Sequence, residues 1–548
     1  AIVYTLNDEG YVDAAITVTN DHEHDILEVE FPKLSNLRAG ASATDDTLIW
    51  PFGTGKKYSN PASQSRLSTT YPQAVMPWLD LYDEAAGFYL GAHDPNLVSL
   101  EMTVQPDATR TWLNAHMVKR DTIAKGGEAT YRFAIGAHPG AWHTAALWYK
   151  AWFDTRFPRA EWPEWTLETD GWQFANISFS RPNFHYSHLP EKVYRRAITH
   201  GFRHVQIWGS DTANSCPTYY YPPDDVGGPE AFAKVNKWWR DRGGQIGYYV
   251  LPQGPSTWCF HEEGTNYFGT PWDEMPEWAV PPGKLEGASW DWLTQHARYG
   301  HPDRREPEPN RKRWKSDKAK YKKRGIKNYP WQYTAMSMYS KEWNDWFVGW
   351  VMRYIRDFNT STMYLDTFHT QAAIPDYNPH LGLHGAGKGG LLRSEMARRI
   401  WEEGKAIDPD WLPIMEMQCD AYQPWMAQQV GSSSMDSEIL KFTHPDHLQF
   451  EGQTGAGWGP KRFKRFNSSW MYGNRLDHRE YEGWATEIIY MRGWLTRWLN
   501  GSRFMDDLGM TVSSPEVRGK LHRTNHSDGS RGFAAMFWNT ARRERFPG

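Results

Sequence analysis

From about residue 159 to 505 the chain alternates between two kinds of segment. Short β-rich runs are "WQFANISFS" (172–180), "HVQIWG" (204–209), "QIGYYVLP" (245–252), "TMYLDT" (362–367) and "WLPIMEM" (411–417). Between and after them come stretches of helical periodicity: "EKVYRRAITHGF" (191–202), "PEAFAKVNKWWRDRGG" (229–244), "SKEWNDWFVGWVMRYIRDF" (340–358) and "GLLRSEMARRIWEEGKAID" (390–408). Parallel strands cannot be joined by a tight turn and need a crossover, usually a helix. Alternation sustained over more than 300 residues therefore predicts parallel β/α units, and the span suits a (β/α)8 TIM barrel in an α/β protein. "EILKF" (438–442) and "HLQFEG" (447–452) read as two further short strands, and "YEGWATEIIYMRGWLTRWLNG" (481–501) as a helix with a glycine stop. A Trp-rich insertion at about 253–330 follows the third strand.

The first 158 residues follow another rule. "YVDAAITVTN" alternates with period two, "PWLDLYDEAAGFYLGAHDP" (77–95) reads as strand, turn and strand, and "ATYRFAIGAHPG" (129–140) adds another strand. These features predict an N-terminal β-sandwich, closed by a helix over 141–157 and the Pro-rich "PRAEWPEW". The opening "AIVYTLNDEGYVD" is already strand-like, which leaves room for the domain to begin upstream, and no signal peptide is visible in it. The expected location is secreted or periplasmic, with the cytoplasm as the alternative. Residues 506–548 form a C-terminal extension in which "GFAAMFWNT" (532–540) is either the last barrel strand or part of a small β element.

Several function classes are disfavoured at once. A formal net charge of −4 does not point to nucleic acid. The basic run "RKRWKSDKAKYKKRG" (311–325) reads as a solvated loop of the insertion. No apolar run approaches the roughly 20 residues that span a bilayer. Three cysteines cannot build a disulfide framework. "PFGTGKK" (51–57) lacks the spacing of a phosphate loop. What stands out is 31 Trp, 28 Tyr and 24 Phe, many of them among Gly, Pro, Asp and Asn. Sugar rings offer apolar C–H faces and polar edges, so such plates with polar neighbours suit an oligosaccharide or glycan partner.

The chemistry concentrates at two strand ends. In "MYLDTFHTQ" (363–371) an apolar run delivers Asp366, and in "IMEMQCDAY" (414–422) another delivers Glu416. Acids at the C-terminal ends of the fourth and fifth strands would face the mouth where barrel active sites form. Two such carboxylates can flank a glycosidic bond, one as nucleophile and one as acid/base. Donors such as Thr367 or His369 would keep the nucleophile Asp366 ionised, and the apolar Met415 and Met417 would help Glu416 keep its proton. Asp420 competes for the acid role, including in an inverting mechanism.

Around this pair Trp208 and Asp211 in "QIWGSDT" end the second strand, and Tyr248 or Tyr249 ends the third. Alternation does not decide which tyrosine points inward; Tyr249 is assigned. Trp290, in "ASWDW", supplies a stacking wall, and His369, Gln418 and Asp420 complete the substrate-binding set. "KFTHPDHLQFEG" brings His444, Asp446, His447 and Glu451 together without a strong ligand spacing such as HExxH, so neither a metal nor a cofactor is expected. A non-catalytic carbohydrate-binding protein on a degenerate barrel is the reading from a different class; it has no need of two facing carboxylates.

The combination of "YPQAVMPWLDLYD…GFYLGAHDP", a connecting helix, "MYLDTFH" and "IMEMQCDAY" resembles bacterial glycoside hydrolases related to the endo-α-N-acetylgalactosaminidases, within the wider superfamily of retaining α-glycosidases. The resemblance implies a sandwich followed by a barrel and cleavage of an α-linkage with retention. It also implies that Asp366 is the nucleophile and that the acid/base sits on a following strand, where Glu416 fits best.

Overall fold

The computed structural model describes residues 1–41, 44–177, 184–208, 222, 226–250, 252, 289–300, 335–369, 372–430, 438–451, 470–478, 483–525 and 530–539. Its N-terminal part is two facing antiparallel sheets. One has seven strands, in the order Ile2–Leu6, Val12–Thr19, Glu128–Pro139, Ala86–Gly91, Trp78–Tyr82, Thr47–Trp50, Lys56–Ser59. The other has four: Ile26–Leu37, Leu113–Ile123, Leu100–Pro106, Leu67–Tyr71. Period-two alternation does the sorting. Along Leu113–Ile123, Leu113, Ala115, Met117 and Lys119 turn inward. The inward Lys119 is tolerated because its ammonium meets Asp94 at 2.7 Å in the same buried layer.

The linker helix His143–Asp154 buries Ala145, Ala146, Trp148, Tyr149 and Phe153, and it packs on both the sandwich and the barrel helix Glu438–Thr443.

Eight parallel strands then close a barrel: Gly171–Asn176, His204–Trp208, Gln245–Val250, Thr362–Leu365, Leu412–Glu416, Ala427–Val430, Gln449–Glu451 and Arg475–His478. The eighth returns to the first with Trp172 opposite Asp477. Both faces of the strands are buried, as the all-parallel arrangement requires. Val205, Ile207, Ile246, Tyr248, Met363, Leu365 and Met415 join the core shared with the surrounding helices. Trp172, Trp208, Tyr249, Tyr364, Leu412, Ile414 and Phe450 form a separate cluster inside the barrel. The predicted α/β barrel with an N-terminal sandwich is thus the observed fold. No helix among the described residues is long and apolar enough to cross a membrane.

Two local expectations are corrected. "EILKF" lies in the helix Glu438–Thr443, and the sixth strand is the preceding Ala427–Val430; a run of five residues is too short for its period to separate strand from helix. "GFAAMFWNT" overlaps Arg531–Asn539, which pairs antiparallel with Val517–Asn525 in a three-stranded C-terminal sheet completed by Arg503–Phe504. It is the small β element, and the last barrel strand is the short Arg475–His478.

Candidate active site

Alternation along the fourth and fifth strands carries an acid to the barrel mouth on each. Tyr364 faces the lumen, and Asp366 follows it two residues on, with its amide still donating to Val250 O at 2.9 Å as the strand ladder runs out. Leu412 and Ile414 face the lumen, and Glu416 takes the next inward position. The chain then turns sharply on both strands. Thr367 has φ 51° and Met417 has φ 66°, both left-handed. For a β-branched residue that conformation is a genuine outlier, of a kind that costs about 1–3 kcal/mol and collects at functional sites.

The two carboxyl groups stand next to each other, near enough to act on each other's charge. Tyr249 donates its hydroxyl to Asp366 Oδ2, and the Thr367 amide donates to Glu416 Oε2 at 3.3 Å. Burial pushes the Asp366 carboxyl well above the usual carboxylate range, the adjoining Glu416 pushes it further, and Tyr249 and the Thr367 amide pull against both. The expectation that nearby donors would hold Asp366 ionised is thus corrected: burial and the like charge of Glu416 outweigh the Tyr249 hydroxyl and the Thr367 amide.

Aromatic rings line the lumen beside this pair. The Trp208 ring centroid lies 4.8 Å from that of Tyr364, 5.4 Å from Tyr249 and 4.5 Å from Phe174. Tyr249 stacks on Tyr364 at 5.8 Å and 18°. The open choice between the two tyrosines is therefore decided: Tyr248 points to the helices, where its hydroxyl donates to Asn236 Oδ1 at 2.5 Å.

The other expected residues separate. Gln418 is buried two residues beyond Glu416, and its amide makes no hydrogen bond to another described residue. His369 has no exposed surface; burial, with Arg393 nearby, lowers its pKa to about 3, so it is neutral and is part of the packing behind the fourth-strand loop. Asp211 lies outside the described residues, as does the side chain of Trp290, whose backbone belongs to the helix Ser289–His296.

Asp420 does not join the site. It is fully buried where the sandwich meets the barrel, with Oδ1 accepting from Tyr71 at 2.8 Å and Oδ2 accepting from Tyr149. It has no exposed surface and both its oxygens are engaged, so it stands apart from the Asp366–Glu416 pair. These tyrosines stand 349 and 271 residues away in sequence, so no local pattern marks them.

Of "KFTHPDHLQFEG", His444, Asp446 and His447 do not form a cluster with metal-holding geometry, and the side chain of Glu451 lies outside the described residues. Asp446 pairs with Arg159 at 2.8 Å on the surface, and His447 is buried with its pKa lowered well below 6.5 by desolvation. Among the described residues the group with metal-holding geometry is His143, Asp506 and Asp507. There the ammonium of Lys520 already contacts Asp506 and supplies the positive charge.

No known family's sequence profile matches the chain, and no curated protein matches its sequence. Solved structures do match. The ligand-free alpha-N-acetylgalactosaminidase NagBb from Bifidobacterium bifidum aligns with a TM-score of 0.62 at 11% identity, over 98% of this chain and 90% of that one. The GH36 alpha-galactosidase AgaA from Geobacillus stearothermophilus aligns with 0.56 at 12% identity, over 100% of this chain and 74% of that one. The alpha-galactosidase from Lactobacillus brevis gives 0.54 at 9% identity, over 96% and 71%. At these identities the likeness shows a shared fold.

Proposed function

We propose that the chain is a glycoside hydrolase that cleaves an α-linked sugar with retention of configuration. The observation that carries this reading is the pair of carboxyl groups, Asp366 and Glu416, brought together at the barrel mouth. A retaining glycosidase needs one ionised and one protonated acid about 5–5.5 Å apart, whereas an inverting one needs about 6.5–9.5 Å to admit water. Acids that start next to each other have only to part around an anomeric centre to reach the shorter distance. The α-linkage is supported by the solved structures of like fold, which are an alpha-N-acetylgalactosaminidase and alpha-galactosidases.

In the first step Glu416 gives its proton to the glycosidic oxygen as that bond breaks, and Asp366 Oδ attacks the anomeric carbon to form a glycosyl ester. In the second, the Glu416 carboxylate takes a proton from water, which attacks the same carbon and releases Asp366 as carboxylate. Tyr249 steadies Asp366 in its ionised form, and the Trp208–Tyr249–Tyr364 wall offers a face to the apolar side of a sugar ring.

The test is turnover of 4-nitrophenyl α-galactoside, α-N-acetylgalactosaminide and their β counterparts, with proton NMR of the first-formed anomer on any substrate accepted. An α-glycoside giving an α product first is expected. A first product of inverted configuration refutes retention. Glycan binding with no turnover across the panel favours the binding-protein reading.

A further inference from the structure

We propose that the β-sandwich positions the catalytic acids, by fastening the loops that follow both of them, and that Asp420 is the positioning residue for Glu416. The inference rests on the assignment of Glu416 as acid/base. Loops at the mouth of a barrel are free by default, since the barrel itself holds only their ends. Here the loop after the fifth strand is gripped within four residues of Glu416. The amide of Asp420 donates to Val75 O of the sandwich at 2.9 Å. Its two carboxylate oxygens accept from Tyr71, on the sandwich strand Leu67–Tyr71, and from Tyr149, on the linker helix. On the barrel side Gln428 clasps Cys419 in both directions, with Cys419 N donating to Oε1 at 3.0 Å and Nε2 donating to Cys419 O at 2.6 Å. Ser394 Oγ donates to Ala421 O at 2.7 Å.

The loop after the fourth strand is held from the same domain. Ser99 Oγ donates to Ala373 O at 2.6 Å and Ser99 N to Gly387 O at 2.8 Å. Gly387 N donates to Asp121 Oδ1 at 2.8 Å, and Thr122 Oγ1 to His384 O at 2.8 Å. Gly387 itself fits only because it lacks a side chain: a Cβ there would overlap the carbonyl oxygen of Arg120 in the sandwich.

A buried carboxylate is costly unless it is richly hydrogen-bonded. Asp420 meets that demand with donors from outside the barrel, so the place where its loop is stable is the place where the sandwich presents Tyr71 and the linker helix packed on it presents Tyr149. His444 Nε2, 3.8 Å from Oδ2, contributes no charge, because burial lowers the pKa of that ring. The loop geometry behind Glu416 is thereby set by a domain that contributes no catalytic atom.

The experiment compares Tyr71→Phe, Tyr149→Phe, their double variant and Ser99→Ala with wild type in the full chain. The substrates are the methyl and 4-nitrophenyl α-glycosides of whichever sugar is turned over. Misplacing a catalytic group by about 1 Å can cost about 100-fold. Tyr71→Phe is expected to lower kcat on the methyl glycoside about 10- to 100-fold, with KM within about twofold and a smaller loss on the nitrophenyl substrate, whose leaving group needs no proton. The double variant should be no worse than the worse single variant, because both tyrosines act through one carboxylate. Ser99→Ala, acting on the Asp366 loop, should slow both substrates alike.

Wild-type kcat on both substrates in all these variants, with only a lowered Tm, would reduce the contacts to plain structural support and overturn the proposal. Rescue by azide of Asp420→Ala but not Glu416→Ala would also overturn it, by making Asp420 the acid. Glu416→Gln is the control that separates the two readings. If it stays active, the acid/base assignment has failed; if it is inactive while Tyr71→Phe and Ser99→Ala are unaffected, this inference alone has failed.

Discussion

Asp366→Asn should kill the enzyme and stabilise it. In the wild type Asp366 stands beside Glu416 and accepts from Tyr249, and its carboxyl is driven well above the usual range by burial and by Glu416. An asparagine keeps the shape without the charge: Oδ1 accepts from Tyr249, and Nδ2 offers Glu416 a donor. An acid whose folded pKa exceeds its unfolded one favours the fold fully below the unfolded value, about 3.9, and loses that advantage as pH rises through the folded value. The wild type therefore carries a penalty at neutral pH that the variant lacks. A buried polar group that is poorly satisfied costs about 1–3 kcal/mol, so we expect a gain of that order at pH 7. For a domain of several hundred residues this is a rise in Tm of about 2–5 °C. Differential scanning calorimetry between pH 4.5 and 8 should show the gap narrow steadily toward the acid end, while kcat falls at least about 10³-fold. A Tm equal to or below wild type at pH 7, or a gap indifferent to pH, would refute the account of an Asp366 carboxyl raised by burial and Glu416.

Three further outcomes follow from the same geometry. Tyr249→Phe removes the donor that favours ionised Asp366, so the acid limb of the kcat/KM profile should move to higher pH; an unmoved limb would take Tyr249 out of the site. Glu416→Ala should be far slower on methyl than on nitrophenyl glycosides, and added azide should restore turnover of the latter by replacing the general base. Gly387→Ala should lower kcat by more than tenfold, because the fourth-strand loop must withdraw from the Arg120 carbonyl; kinetics and Tm measured together would expose a purely destabilising effect.

Much of this was legible in the sequence because the barrel repeats itself. Asp366 and Glu416 each end an apolar run, and counting units placed them on the fourth and fifth strands, where they stand. Tyr248 and Tyr249 could not be told apart, because every residue of Gln245–Val250 is buried and the polar/apolar alternation that orients an antiparallel strand is erased. The sixth and eighth strands, "AQQV" and "RLDH", are four residues each and polar, with Gln428 and Asp477 engaged by Cys419 and by Trp172 Nε1, so they lacked an apolar signature. Asp420 lies four residues beyond Glu416, a spacing that suggests a shared site; its tyrosine partners come from other layers of the fold, which spacing alone does not reveal.

The left-handed turns at Thr367 and Met417 bear on how this chain would respond to laboratory evolution. A library selected only for heat resistance should enrich glycine or asparagine at both positions, since either residue relieves the backbone there. A library selected for turnover should hold whichever side chains keep the two carboxyls aimed at each other. Sequencing the survivors of both selections at codons 367 and 417 would then read out, position by position, where the chain has exchanged robustness for reactivity.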